Sequence, residues 1–166
     1  MSDLVDVVVE DNRWDQLDFE GIAQTAASAA LSAAGLDPEG YEICVMACDD
    51  SRIAELNKSF RDKSAPTNVL SWPAFDLSPD APGEEPYLPP EPEGPEESLG
   101  DIAISFETCQ REAEASGTPM VDHVTHLILH GCLHLLGYDH IHDEDATVME
   151  ALEVQALAKL GISNPY

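Results

Sequence analysis

The chain has little positive charge. Seven lysines and arginines stand against 33 aspartates and glutamates in 166 residues, a formal net charge of −26 at pH 7. A uniformly negative surface repels polyanions and slows their approach, so a polyanionic partner would need a local exception to that field. The chain also lacks any apolar run of about 18 residues, which leaves no candidate for a membrane-spanning helix. Its N-terminus, MSDLVDVVVEDNRWD, carries acids where a signal peptide would carry lysines, so export is not expected. Cysteine is sparse and unpatterned. Cys44, Cys48, Cys109 and Cys132 lie in apolar or helical stretches without the spacing of a disulfide framework, and reduced thiols in the cytosol are the simpler expectation.

The few cations are clustered. Arg52, Lys58, Arg61 and Lys63, four of the seven, fall in one twelve-residue stretch, the one place where phosphate could be accepted; a solvated helix face is the alternative reading. The opposite extreme is residues 74–97, AFDLSPDAPGEEPYLPPEPEGPEE, with seven of the twelve prolines, eight acids and no Lys or Arg. Such a segment can neither form a strand ladder nor bury a core, and it reads as an extended, flexible insert in a hairpin connection. Setting its eight acids aside leaves 25 against seven bases, so the insert is not the source of the acidity. A salt-adaptation or solubility role for the excess charge is preferred, since ions screen charge of one sign.

A hydrophobic content of 43% over this length fits one globular domain, 1–166, with a single sizeable core. Val5–Val9 reads as a first strand. Phe19, Ile22, Ala23, Ala26, Ala30 and Ala33 follow a helical period that Gly35 closes. The run 42–48 (EICVMAC) has strand length and is apolar enough to be buried on both faces. Asp50 or Ser51 can cap a helix with an inner stripe of Ile53, Leu56 and Phe60. Strands at 69–72 and 101–105 flank the insert, and helices follow at 107–115, through the 121–136 region and near 143–160. In the last of these Met149, Leu152, Ala156 and Leu160 face inward. Strands and helices interleave. The expected architecture is α+β (mixed α/β), with about four strands in a mixed sheet packed by helices and a metal site at the end of a buried central helix.

That site is the chain's most informative feature. Residues 130–140 read HGCLHLLGYDH, placing His130, His134 and His140 in the frame H-x3-H-x5-H with Gly137 between the last two. Positions i and i+4 of a helix share a face, so His130 and His134 can address one ion. His140 can join them only if the helix stops, and Gly137 can take the left-handed conformation that stops it. Three neutral imidazoles with a fourth position left to water is how catalytic zinc is held; structural zinc is closed by four protein ligands. The helix is apolar almost all round, and unpaired imidazoles there would be costly without an ion. Cys132 points to the other side and reads as a packed hydrophobe. Of the remaining histidines, His126 stands four before His130 and could support it, a core or surface role being the simpler expectation. His142 has the access to carry a proton.

Zinc proteases of the metzincin kind share this spacing but place a glutamate immediately after the first histidine as general base. Here that position is Gly131. The ligand set is kept and the peptidase base is missing, which makes peptide hydrolysis the weaker use.

The run HGCLHLLGYDH resembles the signature of the YbeY family of bacterial rRNA maturation factors. LNKSFRDKSAPTNVLSWP, residues 56–73, is similar to that family's Leu-Asn … Arg … Pro-Thr-Asp-Val-Leu-Ser-Phe-Pro segment, and Leu99-Gly100-Asp101-Ile102 followed by Ile104-Ser105 to its Gly-Asp-Ile strand. The blocks keep the family's order and span about residues 42–160. Asn68 replaces the usual Asp, Trp72 the usual Phe, and the acidic insert separates the second and third blocks. The resemblance implies a cytoplasmic, single-strand-specific, zinc-dependent endoribonuclease with one Zn2+ on His130, His134 and His140. It implies action in rRNA maturation, including 16S rRNA 3′-end processing, and in ribosome quality control. Its partners would be single-stranded RNA and the small ribosomal subunit, and the protein a monomer. Arg61, always charged and planar, would stabilise charge at the scissile phosphate as the catalytic side chain, with Lys58 and Lys63 positioning the backbone. The competing readings are a non-catalytic ribosome assembly factor with a structural metal, in which Asp139 could fill the fourth position, and a metal hydrolase of another substrate.

Overall fold

The computed structural model describes residues 4–61, 65–92 and 97–166, with every side chain among them except those of Phe60 and Arg61. Four strands form one sheet: β1 (Val5–Val9), β2 (Tyr41–Cys48), β3 (Val69–Pro73) and β4 (Glu97–Ser105), in the order β1-β2-β4-β3. β1, β2 and β4 are mutually parallel, and β3 returns antiparallel to β4. The mixed four-stranded α+β architecture is therefore the expected one, and the antiparallel β3–β4 pair is the hairpin that carries the insert.

Helices α1 (Phe19–Ala33), α4 (Met120–Leu135) and α5 (Asp143–Lys159) pack with one face of the sheet around the main core. The alanines of α1 keep it thin. Ala23, Ala26, Ala27 and Ala30 are fully buried, which lets the helix lie close to α4. α4 supplies Val124, Ile128, Leu129 and Leu133, all fully buried, each such side chain contributing about 1.5–3 kcal/mol. At Gly131 the helix approaches the sheet closely, because a Cβ there would stand 3.2 Å from Cδ1 of Ile102 on β4. The position that carries the base in metzincins thus faces the sheet, so a longer side chain would enter the core and not a cleft.

The other face of the sheet is only partly covered. α2 (Asp50–Arg61) lays Ile53 and Leu56 against Cys48, Leu70 and Ala103. Ile43, Val45 and Ala47 of β2 are buried in the main core, whereas Cys44 and Met46 on the opposite face are half-buried. The expectation of burial on both faces holds only where α2 reaches. α3 (Phe106–Ser116) follows β4 directly and adds Phe106 and Cys109 to the main core, with Ala113 also buried.

Two features were not anticipated. A 3-10 turn at Asn12–Gln16 buries Trp14, whose indole N–H donates to the Cys48 carbonyl at 2.9 Å and whose ring packs on Phe19 and Phe106. In α5 the buried stripe is Met149, Glu153, Ala156 and Leu157; Leu152 and Leu160, expected inside, are half-buried on its flanks.

Residues 74–92 of the insert contain no helix or strand. They nevertheless meet the domain at named points: Leu77 is buried, the Gly83 N–H donates to Asp145 at 2.9 Å, and the Tyr41 hydroxyl donates to the Pro90 carbonyl at 2.9 Å. Residues 93–96 lie outside the described part. No described helix is long and apolar enough to cross a membrane. The four cysteines are free thiols, with burial pushing Cys48 and Cys132 up to about 12.

Candidate metal centre and its cleft

The sequence HLLGYDH stops α4 by a glycine-closed turn. Gly137 has φ +98° and its N–H donates to the His134 carbonyl at 3.0 Å, while the Tyr138 N–H donates to the Leu133 carbonyl at 3.1 Å. This pair of bonds is the Schellman pattern, and Tyr138, the residue beyond the turn, packs partly buried against the main core. The turn also lies against the insert, since a Cβ on Gly137 would stand 2.6 Å from the Leu77 carbonyl oxygen. By reversing the chain here, the turn returns His140 to the helix end.

The three predicted histidines come together. Ligand nitrogens of His130, His134 and His140 lie within 4.8 Å of one another, and the ring centroids are 4.5, 5.2 and 5.3 Å apart. The tautomers of the first two follow from their neighbours. The Tyr138 carbonyl can only accept, so Nδ1 of His134 donates to it at 2.9 Å. Nδ1 of His130 lies 2.9 Å from Oε1 of Glu153 and donates likewise. The two Nε2 atoms, turned away from those partners, face each other at 3.0 Å. Burial, reinforced by the neighbouring His130 and His140, pushes His134 down to about 4, so at neutral pH its Nε2 offers a lone pair toward the other two rings.

Two nitrogens at about 2.0–2.1 Å from one zinc, separated by the tetrahedral angle, stand roughly 3.3 Å apart, close to the separation found. The residues fit a divalent ion of nitrogen preference. Asp139 lines the same cleft, but its Oδ1 accepts from the His140 N–H at 2.7 Å, and it is not among the converging ligand atoms.

Glu153 was missed from sequence. It is fully buried, with Oε1 accepting from His130 and, at 2.8 Å, from Nε2 of His126, and Oε2 accepting from the Tyr166 hydroxyl at 2.9 Å. Burial alone would raise its pKa; the hydrogen bonds from His126 and His130 outweigh burial and hold it at about 2. The signal was present as an acid on the inner stripe of α5, spaced with Met149 and Ala156 and opposite a histidine-rich helix. His126, expected in a core or surface role, shares this carboxylate. His126, His130 and Glu153 could themselves hold an ion, but both imidazoles already saturate Oε1. The arrangement therefore reads as support for the three-histidine centre, fixing ring orientation and raising ligand basicity.

The centre opens into a cleft of 570 Å3, walled by Thr67, Asn68 and Val69 on one side, by α4 and His140 on another, and by Tyr166. Among the described residues lining it there is no Lys or Arg. Asn68 donates from its side-chain amide to Glu112 at 3.0 Å, and His123 lies 3.0 Å from the same carboxylate. Arg61 is the last residue of α2, and its side chain lies outside the described part, as does all of Lys63. Arg52, counted among the cations available to phosphate, is paired with Glu10 at 3.3 Å and Glu55 at 3.4 Å. Lys58 is exposed. His142 stands at the start of α5 and lines a 300 Å3 depression beside the insert, which shares Asp139 and Ile141 with the three-histidine cleft; His142 itself is not among the residues lining that cleft.

Fold and site together define a one-domain α+β protein built around an open three-imidazole centre, the donor set of a metal-dependent hydrolase. Residues 6–161 match the family described as Endoribonuclease YbeY. The protein of that name from Ruegeria pomeroyi is 58% identical over 98% of this chain and 97% of its own length. That from Cereibacter sphaeroides is 55% identical over the whole of both. The solution structure of TM1509 from Thermotoga maritima matches with a TM-score of 0.59 and 18% identity, covering 94% of this chain and 88% of that one, a likeness of fold. The chain belongs to the endoribonuclease YbeY family.

Proposed function

We propose that the chain cleaves single-stranded RNA in rRNA maturation, including 16S rRNA 3′-end processing, and in ribosome quality control, using one Zn2+ on His130, His134 and His140. Hydrolysis of RNA phosphodiester bonds is the activity its family is named for. The observation that carries the metal reading is the convergence of the His130, His134 and His140 ligand nitrogens within 4.8 Å of one another, with Nδ1 of the first two committed elsewhere. Three imidazoles favour zinc over magnesium. A zinc ion in such a site supplies Lewis acidity to a phosphoryl group and to water. The chain's own part is orientation: Glu153 and the Tyr138 carbonyl hold two rings, and the turn at Gly137 delivers the third. The engaged oxygen of Asp139 speaks for a fourth position open to substrate, and so against a closed structural site.

Arg61 is the catalytic side chain in this reading, stabilising charge at the scissile phosphate. Its place supports the role, since α2 ends there and Thr67–Val69, six to eight residues further along the chain, form the cleft wall. In this reading the protein works in the cytoplasm as a monomer and meets its RNA on the small ribosomal subunit; its four free thiols suit a reducing compartment.

The test is end-group analysis of single-stranded RNA incubated with zinc-loaded protein, beside a chelated control. His134→Ala should release the metal and abolish cleavage. Arg61→Ala should keep the metal and slow turnover by about 10²-fold or more. Unchanged metal content in the first variant, or an intact rate in the second, removes the corresponding assignment.

A further inference from the structure

Tyr166 has an unusual setting for an exposed aromatic. It is 59% exposed and lines the three-histidine cleft, yet its hydroxyl reaches inward to the buried Glu153 at 2.9 Å. The ring also meets His126 edge-on, with centroids 5.7 Å apart at 90°. One end is thus pinned by a charge-assisted hydrogen bond and one edge by an imidazole, while much of the ring remains open to solvent. A ring held in this way has lost most of its rotational freedom before any ligand arrives, which lowers the cost of stacking on it.

The cleft gives such a surface a task. Its described lining residues include no Lys or Arg, so what they offer an RNA strand is stacking and polar surface. Aromatic rings beside a backbone-binding site are how unpaired bases are held, because every base has a π-face. Tyr166 packs at His126, one helical turn from His130, or about 6 Å along α4, which is the scale of one nucleotide from the metal centre.

We infer that Tyr166 is a substrate-binding residue, the stacking platform for an unpaired base adjoining the phosphate held at the three-histidine centre. The inference rests on the nuclease reading above and names a determinant of its preference for single strands. The hydroxyl keeps its proton, because burial and the Glu153 carboxylate both raise the phenol pKa, so the anchor persists at neutral pH.

The probe is a fluorescein-labelled 2′-O-methyl RNA decamer, with a second set carrying one abasic residue at each position in turn. Binding to zinc-loaded protein is read by anisotropy, and intact probe is verified by gel afterwards. Tyr166→Ala should weaken binding about 5- to 150-fold, the range for loss of one base–aromatic stack, with zinc content and the slope of log Kd against log salt unchanged. One abasic position should weaken the parent protein by a similar factor and add little in the alanine variant. Tyr166→Phe and Tyr166→Trp should keep that abasic dependence. The inference is overturned if the alanine variant binds as the parent does, if the abasic loss is the same in both, or if phenylalanine behaves as alanine. The last result would trace the effect to the hydroxyl and Glu153. Cleavage of unmodified RNA is scored separately: a parent protein that leaves it whole refutes the nuclease reading, while the binding data still decide the fate of Tyr166.

Discussion

Replacing Glu153 with glutamine should weaken zinc binding about 10- to 100-fold, or about 1.4–2.7 kcal/mol, the range for outer partners of metal-bound histidine. The substitution keeps the shape and removes the charge. In the parent, Oε1 accepts from His130 and His126 and Oε2 from Tyr166. A glutamine can present its carbonyl to the two imidazoles, but its amide then faces the Tyr166 hydroxyl, which must turn from donor to acceptor. The bond that matters is His130 Nδ1 to Oε1. A charge-assisted hydrogen bond is roughly twice as strong as a neutral one, and the carboxylate makes the opposite nitrogen a better donor to an ion. Glu153→Ala should cost at least as much, because it leaves the imidazoles of His126 and His130 unsatisfied at a fully buried position. Competition with a chromophoric chelator at neutral pH measures the zinc Kd, and denaturation of the metal-free variants separates lost affinity from lost folding. A glutamine variant with the parent's Kd and stability would refute the reasoning, and with it the idea that α5 helps build the centre.

Gly137→Ala should destabilise the protein by about 2–5 kcal/mol. A Cβ at φ +98° costs about 1–2 kcal/mol, and its 2.6 Å approach to the Leu77 carbonyl adds an overpacking cost of about 1–3 kcal/mol. Urea denaturation checks this, and a loss below 1 kcal/mol would mean that the turn and the insert yield more readily than their contacts imply. Acid should destabilise the metal-free protein in two stages. His134 ionises at about 4 in the folded chain against 6.5 when free, so the unfolded state binds the extra proton and stability falls as pH drops from about 6.5 to about 4. Glu153, at about 2 against 4.5, contributes stability that is full above about pH 4.5 and is lost as pH falls toward 2. Neither group alters stability above pH 6.5. His134→Ala should flatten the first stage, and a parent profile already flat between pH 6.5 and 4 would contradict the burial argument.

Local patterns exposed much of the fold. The valine run of β1, the alanine period of α1 and the apolar 42–48 run each declare an element through side chains alone, and the histidine frame declares the centre because helix geometry and one glycine fix three positions relative to one another. Strand order was not readable, since the placement of β4 between β2 and β3 depends on which faces α1 and α4 cover. Trp14 was missed because a five-residue turn has no periodicity. Glu153 was missed for a different reason. A charged residue on an apolar stripe looks like an error of phase until its partners on another helix are known, and those partners, His126 and His130, are 23 or more residues away. Tyr166 lies beyond the last helix, where no pattern points inward.

The charge of the chain is the remaining physical problem, and the ion pairs sharpen it. Arg13 is held by Asp11 and Glu107, Arg52 by Glu10 and Glu55, and Arg111 by Asp50. Exposed pairs of this kind contribute about 0–1 kcal/mol each, so their main effect is to remove three of the seven cations from the surface field. Duplex RNA, gripped through many phosphates at once, finds little among the described residues to bind it. A single strand needs less: one phosphate at an open cation centre and one base that can turn toward a fixed ring. The acidity that disfavours the first ligand leaves the second possible, because a metal ion is a concentrated local charge and stacking does not depend on the net field. On the proposed reading, a preference for unpaired RNA would follow from the scarcity of cations among the described residues as much as from any contact made.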